Sequence, residues 1–318
     1  MSHWSKIEER GIIWGMQFLL KVYLFLGRKV LQVLLYPVVS YYWLVNGKSR
    51  RASLQYLQRL ADFQKVNSIK PAITPSFLNS HRHFISFANA LIDKLAAWTG
   101  SLSLKDVEYY GREAIVSHMN KGQGVLILGS HLGNLEVCRV IAHLRKKVII
   151  NVLVHTKHAN KFNSLLNKYA DSERLNLIQV TEVSAATAML LQDKIAAGEL
   201  IIIAADRTPV NDQHNAQQRV AKADFLGHAA LFPQGPFILA LLLKCPVYTL
   251  FCLKQNSKQM IYFDHFSDGL SFTRKQRTAA IEQCVQEYAD QLQYYCLKAP
   301  LQWFNFYDFW QTKDNEKE

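Results

Sequence analysis

The run Ser130-His131-Leu132-Gly133-Asn134-Leu135-Glu136 places an imidazole five residues before a carboxylate. A carboxylate bonded to one imidazole nitrogen fixes the tautomer and raises the basicity of the other, which can then take a proton from an alcohol. On a continuous helix, His131 and Glu136 would lie about 140° apart. They meet only if His131 sits in a turn ahead of a helix and Glu136 in the helix's first turns. Gly133 eases that bend. A helix start there also offers unpaired backbone N–H groups to a developing oxyanion. The same spacing serves equally for a helix cap or a buried hydrogen-bonding histidine. Ser130 lacks the G-x-S-x-G elbow of a serine nucleophile. The pairs His81, His83 and His155, His158 lack the partners that would specify a zinc site.

The elements around this run predict where it stands. Short apolar stretches at Val125–Leu128, Val148–Val154, Leu177–Val180, Leu200–Ala205 and Val247–Leu253 read as buried strands. Between them lie helical patterns at Asn134–Leu144, Ala159–Tyr169, Ser184–Ala197 and Pro233–Lys244. Alternation of this kind predicts an α/β fold with a mainly parallel central sheet flanked by helices. Met260–His265 reads as an added edge strand and Arg274–Leu297 as a long final helix. His131 then follows a strand's carboxyl end, where open α/β sheets bind ligands. Ahead of the sheet, 49–100 reads as helical, broken at Pro71 and Pro75, with a second helix over Ser76–Trp98.

The amino-terminal stretch is apolar and basic together. Residues 1–70 carry eleven Lys or Arg against Glu8, Glu9 and Asp62, a large share of the chain's net +12. Such a basic end fits an anionic surface. Charged residues make up only 19% of the chain, short of the ~25% usual for soluble domains. The internal charges Lys21, Arg28 and Lys29 argue against a cleavable signal. The uncharged run Val30–Gly47 falls just short of the ~20 residues of a comfortable span. Gln17, Lys21, Arg28 and Gln32 share one helical face, within about 60°. This predicts a helix lying in a membrane interface, or dipping in and returning at Pro37, with Tyr41, Tyr42, Trp43 and then Lys48, Arg50, Arg51 at headgroup level. A buried helix with snorkelling lysines is the competing expectation. Five cysteines in no C-x-x-C spacing point to a reducing compartment, with Cys138 and Cys245 as buried thiols.

The block from Ser130 to Glu136 resembles the H-x4-[DE] motif of the lysophospholipid acyltransferase superfamily. It is most similar to the H-F-G-N-W-E block of the bacterial lipid A biosynthesis acyltransferase branch, with Leu132 and Leu135 in place of aromatics. Ala204-Ala205-Asp206-Arg207-Thr208 is similar to that branch's P-D-Q-D block, with Arg207 for the glutamine and no second acid. Phe225-Leu226-Gly227-His228-Ala229-Ala230 is similar to its F-F-G-x-x-A block. The resemblance covers nearly the whole chain and implies a glycerolipid acyltransferase-like fold with a membrane-anchoring segment over 1–47. An acyltransferase domain over 48–318 follows, made of a helical lead-in to 100, an α/β core to 312 and a frayed tail.

The resemblance further implies transfer of a fatty acyl chain from an acyl carrier protein or coenzyme A thioester to a hydroxyl of a membrane lipid or glycolipid. His131 would be the general base and Glu136 its orienter, without a cofactor, a metal or a covalent acyl-enzyme. Asp206, Arg207 and Thr208 would line the acceptor or phosphate side. Phe225 and Gly227 would shape the acyl groove. Ser130, Gly133 and Asn134 would belong to the substrate-binding residues, Asn134 holding the loop or donating to the carbonyl, and Arg82 with His83 would meet donor or headgroup. The expected place is the cytoplasmic face of a bacterial inner membrane, against the phospholipid bilayer, with a basic rim suited to acidic carrier protein and no nucleic-acid partner. A membrane-associated hydrolase with the same dyad, and a non-catalytic basic surface binder, are the alternatives.

Overall fold

A computed structural model describes residues 9–310 apart from 100, 103, 136–147, 155–174, 180–184, 208–219 and 274. Three helices come first: α1 (Glu9–Val45), α2 (Gly47–Val66) and α3 (Phe77–Trp98). Polar caps start the last two. Asn46 accepts from the Ser49 N–H at 3.1 Å and opens α2, while Ser76, just past Pro75, accepts from the Asn79 N–H at 3.2 Å and opens α3. The α1 segment is broken at Gly27, whose φ of +77° leaves helical space, and it runs on through Pro37. The expected return at Pro37 is thereby corrected: the left-handed backbone that only glycine adopts freely makes the break ten residues earlier.

Past that break the expected basic stripe turns inward. Arg28 pairs with Asp93 of α3 at 2.5 Å, and Gln32 donates to Asn89 at 2.8 Å. Solvent instead meets an apolar stripe at helical spacing, with Val33, Val38, Tyr41, Leu44 and Val45 exposed. No helix among the described residues is long and apolar enough to cross a membrane.

The α/β reading holds. Among the described residues, nine strands follow the helices: β1 (Val107–Tyr110), β2 (Val125–Gly133), β3 (Ile150–Val154), β4 (Leu175–Gln179), β5 (Leu200–Ala204), β6 (Val220–Phe225), β7 (His228–Pro233), β8 (Val247–Gln255) and β9 (Lys258–Ser267). Among the described residues, four more helices lie between or after them: α4 (Arg112–Asn120), α5 (Ala185–Ala196), α6 (Gly235–Leu243) and α7 (Arg277–Lys298). Seven strands form one sheet in the order β1-β9-β8-β2-β5-β3-β4. Neighbours from β8 to β4 pair in parallel, while β9 runs antiparallel to β8 and parallel to β1. The strand foreseen as an edge at Met260–His265 is therefore internal, because Val107–Tyr110 pairs outside it. Strands β6 and β7 form a separate hairpin against α7, reached through Gln286 and Gln293. The expected helices Asn134–Leu144 and Ala159–Tyr169 fall largely or wholly outside the described residues. So does Cys138; the other four cysteines are buried.

The two sheet faces bury separate apolar clusters. Leu126 and Leu128 of β2 point to one, and Val125 and Ile127 to the other, the period-two alternation of a strand covered on both sides. Against the first cluster packs His83 of α3, fully buried, with its ring 5.7 Å from that of Tyr56. Its Nδ1 meets the Ser53 hydroxyl of α2 at 3.0 Å, and its Nε2 meets the Trp303 carbonyl at 2.8 Å. That carbonyl can only accept, so Nε2 carries the proton and the ring is neutral. Burial pushes its pKa down to about 4.

The unfolded chain protonates this residue below about pH 6.5, whereas the folded chain resists until about 4. Stability is thus held above the first value and lost as pH falls toward the second, by on the order of 3 kcal/mol. Denaturant unfolding measured from pH 7 to 4 should show this loss, and a His83→Gln variant should show a flatter profile over the same range.

Candidate functional site

Two neighbouring parallel strands build the site. Strand β2 pairs with β5 from Val125 opposite Leu200 to Gly129 opposite Ala204. The Ala205 N–H donates to the Gly129 carbonyl at 2.9 Å and carries the pairing past the strand end. Two residues beyond Gly129 is His131, and two beyond Ala204 is Asp206. His131 is thus level with Asp206, but it lies inside β2, two residues before the strand's end, and not in a turn beyond the strand as the sequence suggests. On its other side β2 loses register with β8 between Gly129 and Gly133. Such an irregularity re-aims the side chains it contains, and His131 is among them. Gly133 closes it with φ +71°; a Cβ there would lie 1.7 Å from the Cys252 carbonyl oxygen. No other residue fits this turn.

Asp206 is the centre of the hydrogen bonding. Its Oδ1 lies 2.8 Å from His131 Nδ1, while Oδ2 accepts from the His131 backbone N–H at 2.8 Å and from Trp303 Nε1 at 3.0 Å. The acid is 1% exposed, and the His131 side chain 36%. Burial alone would raise the Asp206 pKa, but His131 and Arg207 outweigh it and hold the pKa below the usual carboxylate value. An ionised Asp206 accepts only, so Nδ1 carries the ring proton and the Nε2 lone pair is left for chemistry. Packing lowers the His131 pKa; Asp206 pulls it back up, and Arg207 and Lys94 push it down. The net lowering favours the neutral ring.

A carboxyl-terminal strap locks this pair from above. Trp303 bridges to Leu132, the Gly133 N–H donates to the Gln302 carbonyl at 2.7 Å, and the Phe304 N–H donates to the His131 carbonyl at 3.0 Å. The Trp303 indole is fully buried, with Tyr56, Phe225 and Phe309 rings edge-on at 5.0 to 5.2 Å. The strap was missed in the sequence. Its signal is the aromatic run Trp303-Phe304-Asn305-Phe306-Tyr307 with Phe309-Trp310, more apolar than a solvent-exposed terminus needs.

The remaining expected site residues divide. Arg207 stays beside the pair, donating through Nη2 to the Phe304 carbonyl at 2.6 Å, its guanidinium 5.8 Å from the Tyr307 ring centroid. Ser130 is buried, its hydroxyl accepting from the Leu132 N–H at 3.2 Å. It braces the turn. Asn134, also buried, donates to the Ala90 carbonyl at 3.4 Å. It lines a cavity together with Gly133 and the exposed Arg82. Phe225 is fully buried and stacked on Trp310, and Gly227 forms the β6–β7 turn at φ +75°. Neither lies among the residues bonded to His131. Asp206, expected on the acceptor side, is instead beneath the imidazole. Glu136 and Thr208 lie outside the described residues, as does the helix start foreseen for an oxyanion. Among the described residues, no three His, Cys, Asp or Glu side chains gather as a metal site.

Over residues 7–312 the chain matches the family model of the bacterial lipid A biosynthesis acyltransferase. Compared with curated proteins, it finds no match.

The turn at Gly133 gives a sharp test. Gly133→Ala adds both left-handed strain and a clash with the Cys252 carbonyl, and should cost on the order of 3 kcal/mol. Denaturant unfolding of the two proteins measures this. A loss below half that value would mean the turn relaxes easily.

Proposed function

We propose, for a chain that belongs to the bacterial lipid A biosynthesis acyltransferase family, that His131 is the general base of acyl transfer from a thioester to a lipid hydroxyl. The observation carrying this reading is the bond from His131 Nδ1 to the buried Asp206. Nε2 takes the proton of the acceptor hydroxyl as its oxygen attacks the thioester carbonyl. The tetrahedral intermediate collapses, the carbon–sulfur bond breaks, and the imidazolium returns the proton to the departing thiolate. An ester and a free thiol result. Ser130 is spent on the backbone, so a one-step transfer suits the site better than an acyl-enzyme.

In this reading Asp206 fixes the ring and stabilises the imidazolium. Glu136 is the acid that the H-x4-E spacing implies for the dyad, and it lies outside the described residues. The thioester is carried by acyl carrier protein or coenzyme A, and no cofactor enters. We place the reaction at the cytoplasmic face of a bacterial inner membrane. The support is the exposed apolar stripe of α1, flanked by the exposed Lys29, Lys48 and Arg51. Apolar burial together with attraction to anionic headgroups holds an interfacial helix.

Labelled acyl carrier protein thioester, offered with membrane lipid, should yield labelled lipid with the wild type. His131→Ala and Asp206→Asn should lower kcat by about 10²- to 10⁴-fold, Asp206→Asn with little change in KM. Equal transfer by His131→Ala would end the reading, and release of free fatty acid without labelled lipid would favour hydrolysis. Because packing holds the His131 pKa below 6.5, the acidic limb of kcat/KM should have its midpoint under that pH. Asp206→Asn removes the attraction that raises the pKa, so its midpoint should move lower still. Flotation with vesicles containing anionic phospholipid tests the surface: replacing Val33, Tyr41 and Leu44 with Ser should lower the bound fraction about tenfold or more. An unchanged fraction would remove α1 from membrane binding.

A further inference from the structure

Beside the catalytic turn lies a cavity of about 760 Å³ that the proposed proton transfer does not use. One wall is shared with the site: Gly133 and Asn134 continue the chain from His131, and Phe304 belongs to the strap. The other walls carry Arg28, Arg82 and Lys254 against Asp93 and Asp106, so one positive charge is in excess. Asp93 is 3% exposed and receives three partners. Arg28 reaches it at 2.5 Å, Lys254 Nζ at 2.8 Å, and Gln259 Nε2 donates at 3.1 Å. The two cations keep 35% and 32% of their side-chain surface exposed, toward space rather than sealed in the core. Arg82 stands outside this group and donates only a long bond, 3.3 Å, to Asn79.

A staple joining α1, α3, β8 and β9 would explain the Asp93 pairs. It does not explain two further features. Gln259 is 2% exposed, yet its Oε1 is buried without a hydrogen-bond partner. Turning the amide over would aim that oxygen at the Asp93 carboxylate, so the oxygen stays unpartnered at a cost in stability, sealed from the cavity by its own burial. Among the described residues, the cations on the cavity walls also exceed the acids by one. A tetrahedral anion entering the cavity would answer the charge surplus. Guanidinium and ammonium groups bind such oxygens by charge-assisted bonds.

We propose that this cavity is a phosphate subsite serving one of the two substrates. That assignment rests on the acyl-transfer reading. The phosphate comes either from the pantetheine arm of the donor or from the headgroup of the acceptor, and both present the same chemistry to Arg28, Arg82 and Lys254.

Equilibrium dialysis of the full chain in detergent against radiolabelled inorganic phosphate, at fixed ionic strength, tests it. The wild type should bind saturably at one site. Arg82→Gln and Lys254→Gln should each weaken binding about tenfold or more. Lys121→Gln, remote from the cavity, should bind as the wild type does. Should Lys254→Gln fail to fold once Asp93 loses a partner, Arg82→Gln carries the test, since it leaves the Asp93 pairs intact. His131→Ala should keep phosphate binding, which separates a failure here from a failure of the base. Competition by pantetheine phosphate but not dephosphorylated pantetheine assigns the subsite to the donor. Competition by glycerol phosphate but not glycerol assigns it to the acceptor. Absence of saturable phosphate binding by the folded wild type, or equal affinity in folded Arg82→Gln, would overturn the proposal and leave a staple.

Discussion

A carboxylate taken out of water must be compensated by hydrogen bonds or opposite charge, or it protonates. Asp206 meets that demand with three donors drawn from separate parts of the chain: the His131 amide, the His131 imidazole and the Trp303 indole. Each donor has its own support. The amide is placed by the parallel pairing of β2 with β5, the imidazole by the register change that ends at Gly133, and the indole by the aromatic rings around it. His83 holds the carbonyl of the same tryptophan from the opposite side. The acid is thus stable only when sheet, helical layer and strap are all assembled, and the imidazole inherits its orientation from all three.

The helical layer has two faces with different tasks. Its inner face supplies His83, Ser53 and Asp93, the polar anchors beneath the strap and the cavity. Its outer face presents the apolar stripe of α1. Gly27 makes this division possible. By breaking the helix it separates Lys21 from Arg28, so that Arg28 and Gln32 turn toward α3. The basic residues that look like headgroup contacts on a helical projection therefore include one that is held against α3 at the cavity wall.

Much of this was legible in the residues. Runs such as Val125–Leu128 and Leu200–Ile203 are too apolar for a half-exposed strand, and both proved central. Pro75 followed by Ser76 marked the start of α3 to the residue. The same pattern put the histidine near the carboxyl end of β2, but it ended the strand at Leu128, whereas the strand runs on through His131 to Gly133. What stayed hidden was adjacency. The second and fifth strands are neighbours because the third and fourth lie beyond the fifth, and no local periodicity encodes that order. Asp206 therefore read as a ligand-side residue, though it sits under the imidazole. The strap was hidden for the same reason, since its partners Leu132 and Gly133 are far away in sequence. Gly27 and Pro37 are both helix breakers by residue type, and only the backbone angles reveal which one acts.

The account turns on which nitrogen of His131 bears the proton. Nitrogen-15 spectra of histidine-labelled protein, assigned by loss of signal in His131→Gln, report this directly. At neutral pH His131 should show a protonated Nδ1 and an unprotonated Nε2, and Asp206→Asn should disturb that pattern and lower the pKa of the ring. A wild-type ring protonated at Nε2, or a His131 titration unmoved by Asp206→Asn, would contradict it.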